Sequence, residues 1–357
     1  MYIKAKTDLA DAQSGGKFER FSFLADGRAS TLSDWDAGLK LTVQDWSTGR
    51  KILTLTPTGP DIFRWANLSS QQQNALRKDQ ASVNTYDSAT AGQNKLNWIR
   101  GDSINETVAG GFRVRSTTKL GAIVNSTPWY VGPPSAGYTE SDYGGGYTSF
   151  KNTNTATNAV FVGANDGMLH AINADTGNEL FAYVPRAMYS TTTVAPFSQL
   201  SAMTAKDFAL NNGTGRITVD GSLMAADMKV GTTPAWATYL FGTFGRGGKG
   251  VYALDVTKPQ LINEDTASAT KLVKWEFSVE TGDPDMGYIT GRPSSRSNGQ
   301  PFQTGRMANG KWAAIYGNGY NSTSEKAVLY ILYADGPIAS TSTWTTGTHY
   351  IKIPTGV

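Results

Sequence analysis

Residues 158–183 read Asn-Ala-Val-Phe-Val-Gly-Ala-Asn-Asp-Gly-Met-Leu-His-Ala-Ile-Asn-Ala-Asp-Thr-Gly-Asn-Glu-Leu-Phe-Ala-Tyr. Three strands follow one another here. Residues 159–163 are an apolar run, and Asn165-Asp166-Gly167 is a tight turn with glycine where a positive φ is wanted. Residues 168–173 form the return strand. Asp175-Thr176-Gly177 turns the chain again, and residues 179–183 open a third strand. A meander with turns this short predicts a blade of a β-propeller.

The theme recurs. Leu169-His170-Ala171-Ile172-Asn173, Val251-Tyr252-Ala253-Leu254-Asp255 and Leu329-Tyr330-Ile331-Leu332-Tyr333 lie about 80 residues apart. That exceeds a bare four-stranded blade of about 40–50 residues. Either each blade carries insertions, or each phrase stands for two blades. Residues 237–244, 250–256, 271–279, 312–316 and 327–333 are the other expected strands, with Trp275 in the place of Phe181.

The unit resembles the repeat of quinoprotein-type propellers: strand, Asn-Asp-Gly, strand ending Ala-x-Asp/Asn, a Thr-Gly turn, then an aromatic. Around it stand Leu120-Gly121-Ala122-Ile123-Val124-Asn125-Ser126-Thr127-Pro128, Tyr183-Val184-Pro185-Arg186, Val219-Asp220-Gly221-Ser222, residues 242–255 and Gly317-Asn318-Gly319-Tyr320-Asn321. Together these resemble the C-terminal propeller of the PilY1/PilC family, the large tip-associated proteins of bacterial type IV pili. The resemblance is dense over residues 95–335 and looser before. It implies a role in pilus biogenesis, supporting extension against retraction, and adhesion to surfaces or a host-cell receptor. It also implies contacts with minor pilins and a place at the cell surface, on the pilus tip, after export through the outer membrane of a Gram-negative bacterium.

The expected fold class is therefore all-β, a quinoprotein-like β-propeller preceded by a mixed N-terminal segment. The expected division is 1–110 for that lead-in and 111–357 for the blades. Three phrases are fewer than a closed ring needs, and ring closure is what hides sheet edges. Residues 351–357 stop in mid-pattern, so the propeller is expected to be incomplete, with further blades beyond Val357.

Composition agrees with strands and turns. Charged residues make up 17% of the 357, aromatics 11%, and glycine accounts for 39 residues, whereas long helices want periodic Leu, Ala, Glu and Lys. A net charge of +3 with no basic stripe points away from nucleic acid. The absence of cysteine excludes disulfides, thiol nucleophiles and Cys-ligated zinc. No apolar run approaches the roughly 20 residues of a membrane span.

In the lead-in, residues 1–16 read as a loose terminus, and 21–24, 39–43 and 50–55 as strands. Trp35, Trp46 and Trp65 read as core anchors. Ser69 with Gln72 forms a capping box that starts a helix, and residues 80–92 read as a loop. Residues 133–147 read as an exposed excursion, and 187–215 as an insertion, part helical around 196–208.

Gly245-Arg246-Gly247-Gly248-Lys249-Gly250 matches G-x-G-x-x-G, but a strand follows it where a dinucleotide site needs a helix. Lys249 is followed by glycine, which rules out a P-loop. Arg100-Gly101-Asp102 is the one candidate binding tripeptide: as an exposed Arg/Asp pair it would engage integrin, while the plainer reading is a turn with local hydrogen bonds. It also resembles the family's lead-in, with Glu106 at its end.

Calcium is a cofactor the family resemblance implies for the full-length protein, held by a D-x-[DN]-x-[DN]-G loop. No complete copy occurs here. Asn211-Asn212-Gly213-Thr214-Gly215 lacks carboxylates, Asp220 and Asp227 have the wrong spacing, and Asp283-Pro284-Asp285 is only a start. His170 and His349 are the only imidazoles, and His170 sits within a strand phrase. No catalytic residue is assigned. A non-enzymatic pilus module is the leading reading. The alternatives are a quinoprotein dehydrogenase and a carbohydrate-binding propeller using Trp129, Tyr130 or Tyr147.

Overall fold

The computed structural model describes residues 2–7, 15–78, 86–106, 111–189, 199–206, 217–337 and 343–356. Strand β1 (Tyr2–Thr7) runs antiparallel to β2 (Gly16–Phe21), which pairs in turn with β3 (Trp35–Asp36). The expected loose terminus is thus a strand from residue 2 to 7, held by the ladder with β2. Residues 39–43, expected as a strand, belong to helix α1 (Ala37–Val43). Their apolar alternation misleads because Asp36 caps the helix, accepting from the N–H groups of Gly38 and Leu39. Leu41 alone of the alternating set is buried, whereas Leu39 and Val43 face solvent.

A hairpin follows, β4 (Ile52–Thr56) and β5 (Gly59–Ile62), then helices α2 (Ser70–Arg77) and α3 (Ala89–Arg100). The capping box of Ser69 and Gln72 forms as expected. Part of the expected loop over 80–92 is the first turn of α3, capped by Ser88; residues 79–85 lie outside the described residues.

Blade one is the meander β6 (Trp129–Val131), β7 (Ala159–Ala164), β8 (Met168–Asn173) and β9 (Glu179–Val184), with helix α4 (Tyr147–Thr153) between its first two strands. Gly167 has φ +87° and Gly177 has φ +75°, as the two tight turns demand. A Cβ on Gly177 would also meet the Trp35 ring at 2.6 Å. The lead-in adds to this blade: β4 lies parallel to β9, pairing Ile52 with Ala182 and Thr54 with Val184. Segments 1–110 and 111–357 therefore share one six-stranded sheet.

Only pieces of the insertion over 187–215 are described: a 3-10 turn at Arg186–Tyr189 and the short helix α5 (Gln199–Ala202). Blade two is β10 (Leu223–Val230), β11 (Ala235–Thr243) and β12 (Gly250–Asp255), then helix α6 (Thr266–Leu272) and β13 (Val273–Ser278). Blade three is β14 (Thr304–Arg306), β15 (Trp312–Gly317), β16 (Val328–Tyr333) and β17 (Tyr350–Pro354). Each repeat phrase is the third strand of a single four-stranded meander, so insertions explain the long spacing. The repeat holds to the residue: Ala171 pairs with Phe181 and Ala253 with Trp275, each just before a register shift.

The blades stand side by side, with β10 against β6 on one flank and β15 on the other. One core joins the lead-in helices to blades one and two, and a second joins blades two and three. A third packs the N-terminal sheet on blade one. The sheets form an open array rather than a ring among the described residues. Blade three packs Ala314, Leu332 and Tyr350 into the second core. Its opposite face carries the cross-strand row Ile315, Ile331 and Ile351, with Leu329 beside Ile353, and none of these five enters a core. Among the described residues no helix is long and apolar enough to cross a membrane.

Candidate functional site

Two of the side chains that sequence reading singled out, His170 and Arg100, lie where the lead-in meets the blades. His170 on β8 is fully buried. Its Nδ1 lies 2.8 Å from Glu179 Oε1, and its Nε2 lies 3.1 Å from both oxygens of Asp166. Glu179 also accepts from Nε and Nη2 of Arg50, each at 2.8 Å. Asp166 accepts the Gly121 N–H at 2.8 Å. Burial opposes the charge on His170, but Asp166 and Glu179 outweigh it and push its pKa up to about 9. Burial likewise opposes charge on Glu179, and Arg50 and His170 hold it down at about 2. At neutral pH His170 is a cation with both ring nitrogens engaged. It offers no lone pair to a substrate, so this is a strut and not a general base.

A second knot lies beside it. Glu264, just before α6, accepts from Arg100 Nη1 at 2.7 Å, from Arg64 Nε at 2.9 Å and from the Ile52 N–H at 3.3 Å. Arg100 also donates to the carbonyls of Phe63 and Trp46. This places the Arg100-Gly101-Asp102 tripeptide. Arg100 ends α3 with 1% of its surface exposed, Gly101 caps the helix with φ +128°, and Asp102 is half-buried. The exposed Arg/Asp pair of the integrin reading is not formed, because Glu264 and the carbonyls of Phe63, Trp46 and Arg50 hold the guanidinium inside. Contact with an integrin through this tripeptide would require Arg100 to leave Glu264. Glu106 pairs with Arg115, whose Nη1 reaches the Trp98 carbonyl.

Between blades one and two, buried Glu276 on β13 accepts the Tyr183 hydroxyl and the N–H groups of Arg186 and Ala187. Burial lifts its carboxyl above the ordinary range. The Trp344 indole donates to the Glu276 carbonyl at 2.9 Å, which ties in the segment leading to β17.

The remaining sequence candidates are dispersed. Gly245–Gly247 is a 3-10 turn followed by a strand, as the hairpin reading requires. His349 is half-buried, and its Nδ1 accepts from the Thr345 N–H. Of the three rings considered for sugar stacking, Tyr130 is exposed and Trp129 is partly buried. Tyr147 is buried: its hydroxyl accepts from Ala136 N–H and donates to Asp227, each at 2.6 Å. The excursion over 133–147 is correspondingly not a free loop. Tyr138, Tyr143 and Tyr147 pack against Trp236 and Trp312 of the next two blades, with Tyr138 stacked on Trp236 at 5.2 Å.

The donor sets do not fit calcium. Asp220 is bonded to Asn125 and Asp227 to Tyr147 and Thr238. Asp283 and Asp285 share the Lys352 ammonium at 2.9 and 2.7 Å, so a cation of the chain's own sits between them. Residues 211–215 lie outside the described residues. No group of three or more His, Asp or Glu arranged for a metal occurs among the described residues.

Sequence reading missed Arg50, Glu264, Glu276 and Trp344. Their partners are 50 or more residues away in each case, and a buried charge leaves no local pattern. The arrangement ties the lead-in to the blades through buried ion pairs.

Comparison with known proteins gives a consistent picture. A family profile described as "PilY1 beta-propeller domain" matches residues 120–342. The type IV pilus biogenesis factor PilY1 of Pseudomonas aeruginosa strain PAK is 35% identical over 333 residues, covering 90% of this chain and 25% of that protein. A type IV pilus biogenesis factor PilY1 homolog of Xylella fastidiosa strain Temecula1 is 36% identical over 293 residues, covering 79% of this chain and 21% of its own. The crystal structure of the Pseudomonas aeruginosa PilY1 C-terminal domain aligns with a TM-score of 0.40 at 33% identity, over 63% of this chain and 37% of that one. The chain thus spans about a quarter of the length of the curated relatives it matches.

Proposed function

This chain belongs to the PilY1 family, and on that premise we propose that it serves type IV pilus biogenesis as a stiff propeller module at the cell surface, carried at the pilus tip. The family match over residues 120–342 is the observation that carries this reading. In it, the longer protein reaches the surface through the outer membrane of a Gram-negative bacterium, contacts minor pilins, supports extension against retraction and takes part in attachment to surfaces or host cells. The buried ionic knots support a load-bearing part, because their bonds must break together before the lead-in can leave the blades. The module binds and does not catalyse. The calcium implied by family resemblance would be held elsewhere in the longer polypeptide.

The test is genetic. Deleting the parent gene should strip surface pili from cells with an active retraction motor, and a wild-type copy should restore them. Removing the motor from the deletion strain should bring pili back. Normal piliation in the deletion strain would overturn the proposal. The dehydrogenase alternative is checked by an absorbance scan of protein mixed with quinone and calcium: a bound chromophore with alcohol oxidation would favour the enzyme.

A further inference from the structure

Between Asp285 and Glu325 the chain has no acidic residue, yet it carries Arg292, Arg296, Arg306 and Lys311. The fold gathers these around β14 and its hairpin with β15. Arg296 donates to the Thr304 carbonyl and lies 5.3 Å from the centre of the Phe302 ring, which is 59% exposed. Arg306 is exposed, lies 5.6 Å from the Tyr143 ring, and makes no hydrogen bond through its guanidinium among the described residues. Lys311 lies 4.7 Å from the Tyr333 ring. Glu140 and Asp142, on the neighbouring excursion, are turned onto N–H groups of their own loop at Gly146, Thr148 and Thr139.

Exposed Arg292 is among the residues that line a cavity of about 160 Å³ between blades two and three. Its lining also includes Ser222, Thr243, Gln303 and Tyr316, with Ile289 and Met224 as apolar members. The Tyr316 phenol is held protonated by burial. A lining that combines a guanidinium side chain, hydroxyl and amide side chains and apolar ones suits an acidic sugar: the carboxylate would pair with the cation, and the C–H face of the ring would meet the apolar part.

We propose that blade three binds an anionic glycan, with one acidic sugar in the Arg292 cavity and the polymer continuing past Phe302 toward Arg306 and Lys311. This deepens the attachment reading above and rests on it for its biological purpose. The surface differs from the Trp129, Tyr130 and Tyr147 set considered from sequence. Cations held beside aromatic rings favour a polymer that offers both charge and ring faces.

Binding is measured by interferometry at physiological salt, with immobilised polygalacturonate oligomers as probe and neutral dextran as control. The purified protein should bind the acidic oligomer and not dextran. Arg292→Ala should weaken binding at least about tenfold, as loss of a charge-assisted hydrogen bond implies. Arg292→Glu with Arg306→Glu and Lys311→Glu should abolish it. A charge-matched control, Lys151→Glu with Lys258→Glu and Lys271→Glu, alters exposed lysines outside this stretch and should bind as wild type. An equal loss in that control would reduce the effect to net charge and overturn the proposal. Equally tight binding to duplex DNA or polyglutamate would overturn the glycan assignment, as would no binding. Cell attachment separates the two readings. If the deletion strain attaches normally, the attachment reading fails. If it loses attachment while the purified protein ignores the oligomer, only the glycan proposal fails.

Discussion

A buried histidine in an all-β protein invites a catalytic reading, and here its neighbours remove that role. The folded pKa of His170, about 9, is above its ordinary value. Its contribution is therefore complete below about pH 6.5 and is lost as pH rises through about 9. Glu179, held at about 2, works in the other direction: its contribution is present above about pH 4.5 and is lost as pH falls through about 2. His170→Gln should remove the alkaline loss, so that wild type and variant converge in urea stability between pH 6.5 and 9.5. The converging difference should be on the order of 3 kcal/mol; parallel profiles would contradict the assignment. Arg50→Met leaves Glu179 buried without its guanidinium and should cost about 3–5 kcal/mol, read as a lower urea midpoint at pH 7. An unchanged midpoint would mean that the knot contributes nothing.

Among the elements, the excursion between β6 and α4 shows how a segment's role depends on what it meets. In sequence, residues 133–147 are mostly Gly, Ser, Pro and Tyr with hardly an aliphatic, which reads as solvated loop. Trp236 and Trp312 lie on other blades, and only the fold brings them to Tyr138, Tyr143 and Tyr147. Tyr147→Phe removes the bridge from Ala136 to Asp227 and should cost about 1–3 kcal/mol, with faster amide exchange in residues 134–146; exchange unchanged throughout would show that the excursion is held without it. Local signals were legible. The turns at Gly167 and Gly177, the capping box at Ser69 and the paired roles of Phe181 and Trp275 are each written within a few residues. Helices α1 and α3 were not, because Leu39, Leu41 and Val43 alternate like a strand, and Ser88 caps a helix whose buried face is recognised only against α2 and blade one.

For the whole molecule, the repeat phrases made the blade architecture readable, and the buried charges that join its parts could not be read. Arg50 and Glu179 are 129 positions apart, and Arg100 and Glu264 are 164 apart, with nothing in the chain between to pair them. The aliphatic face of blade three, with Leu329 and Ile353 exposed and its three other isoleucines half-buried, has its own consequence. Ile315, Ile331, Ile351, Leu329 and Ile353 form a patch of the kind that drives association. Ile351→Lys with Ile353→Lys should lower self-association of the isolated chain in sedimentation while leaving its melting temperature near wild type. Unchanged association would show that this face is not sticky.

The lead-in is built into the first blade, with β4 laid along β9 and locked by Arg50, Arg100 and Glu264. Hydrogen exchange of the purified protein tests this directly. The amides of Ile52–Thr56 should exchange as slowly as those of Glu179–Val184 and be released together with them as denaturant is added. Exchange of the β4 amides orders of magnitude ahead of β9 would mean that the lead-in opens independently of the first blade.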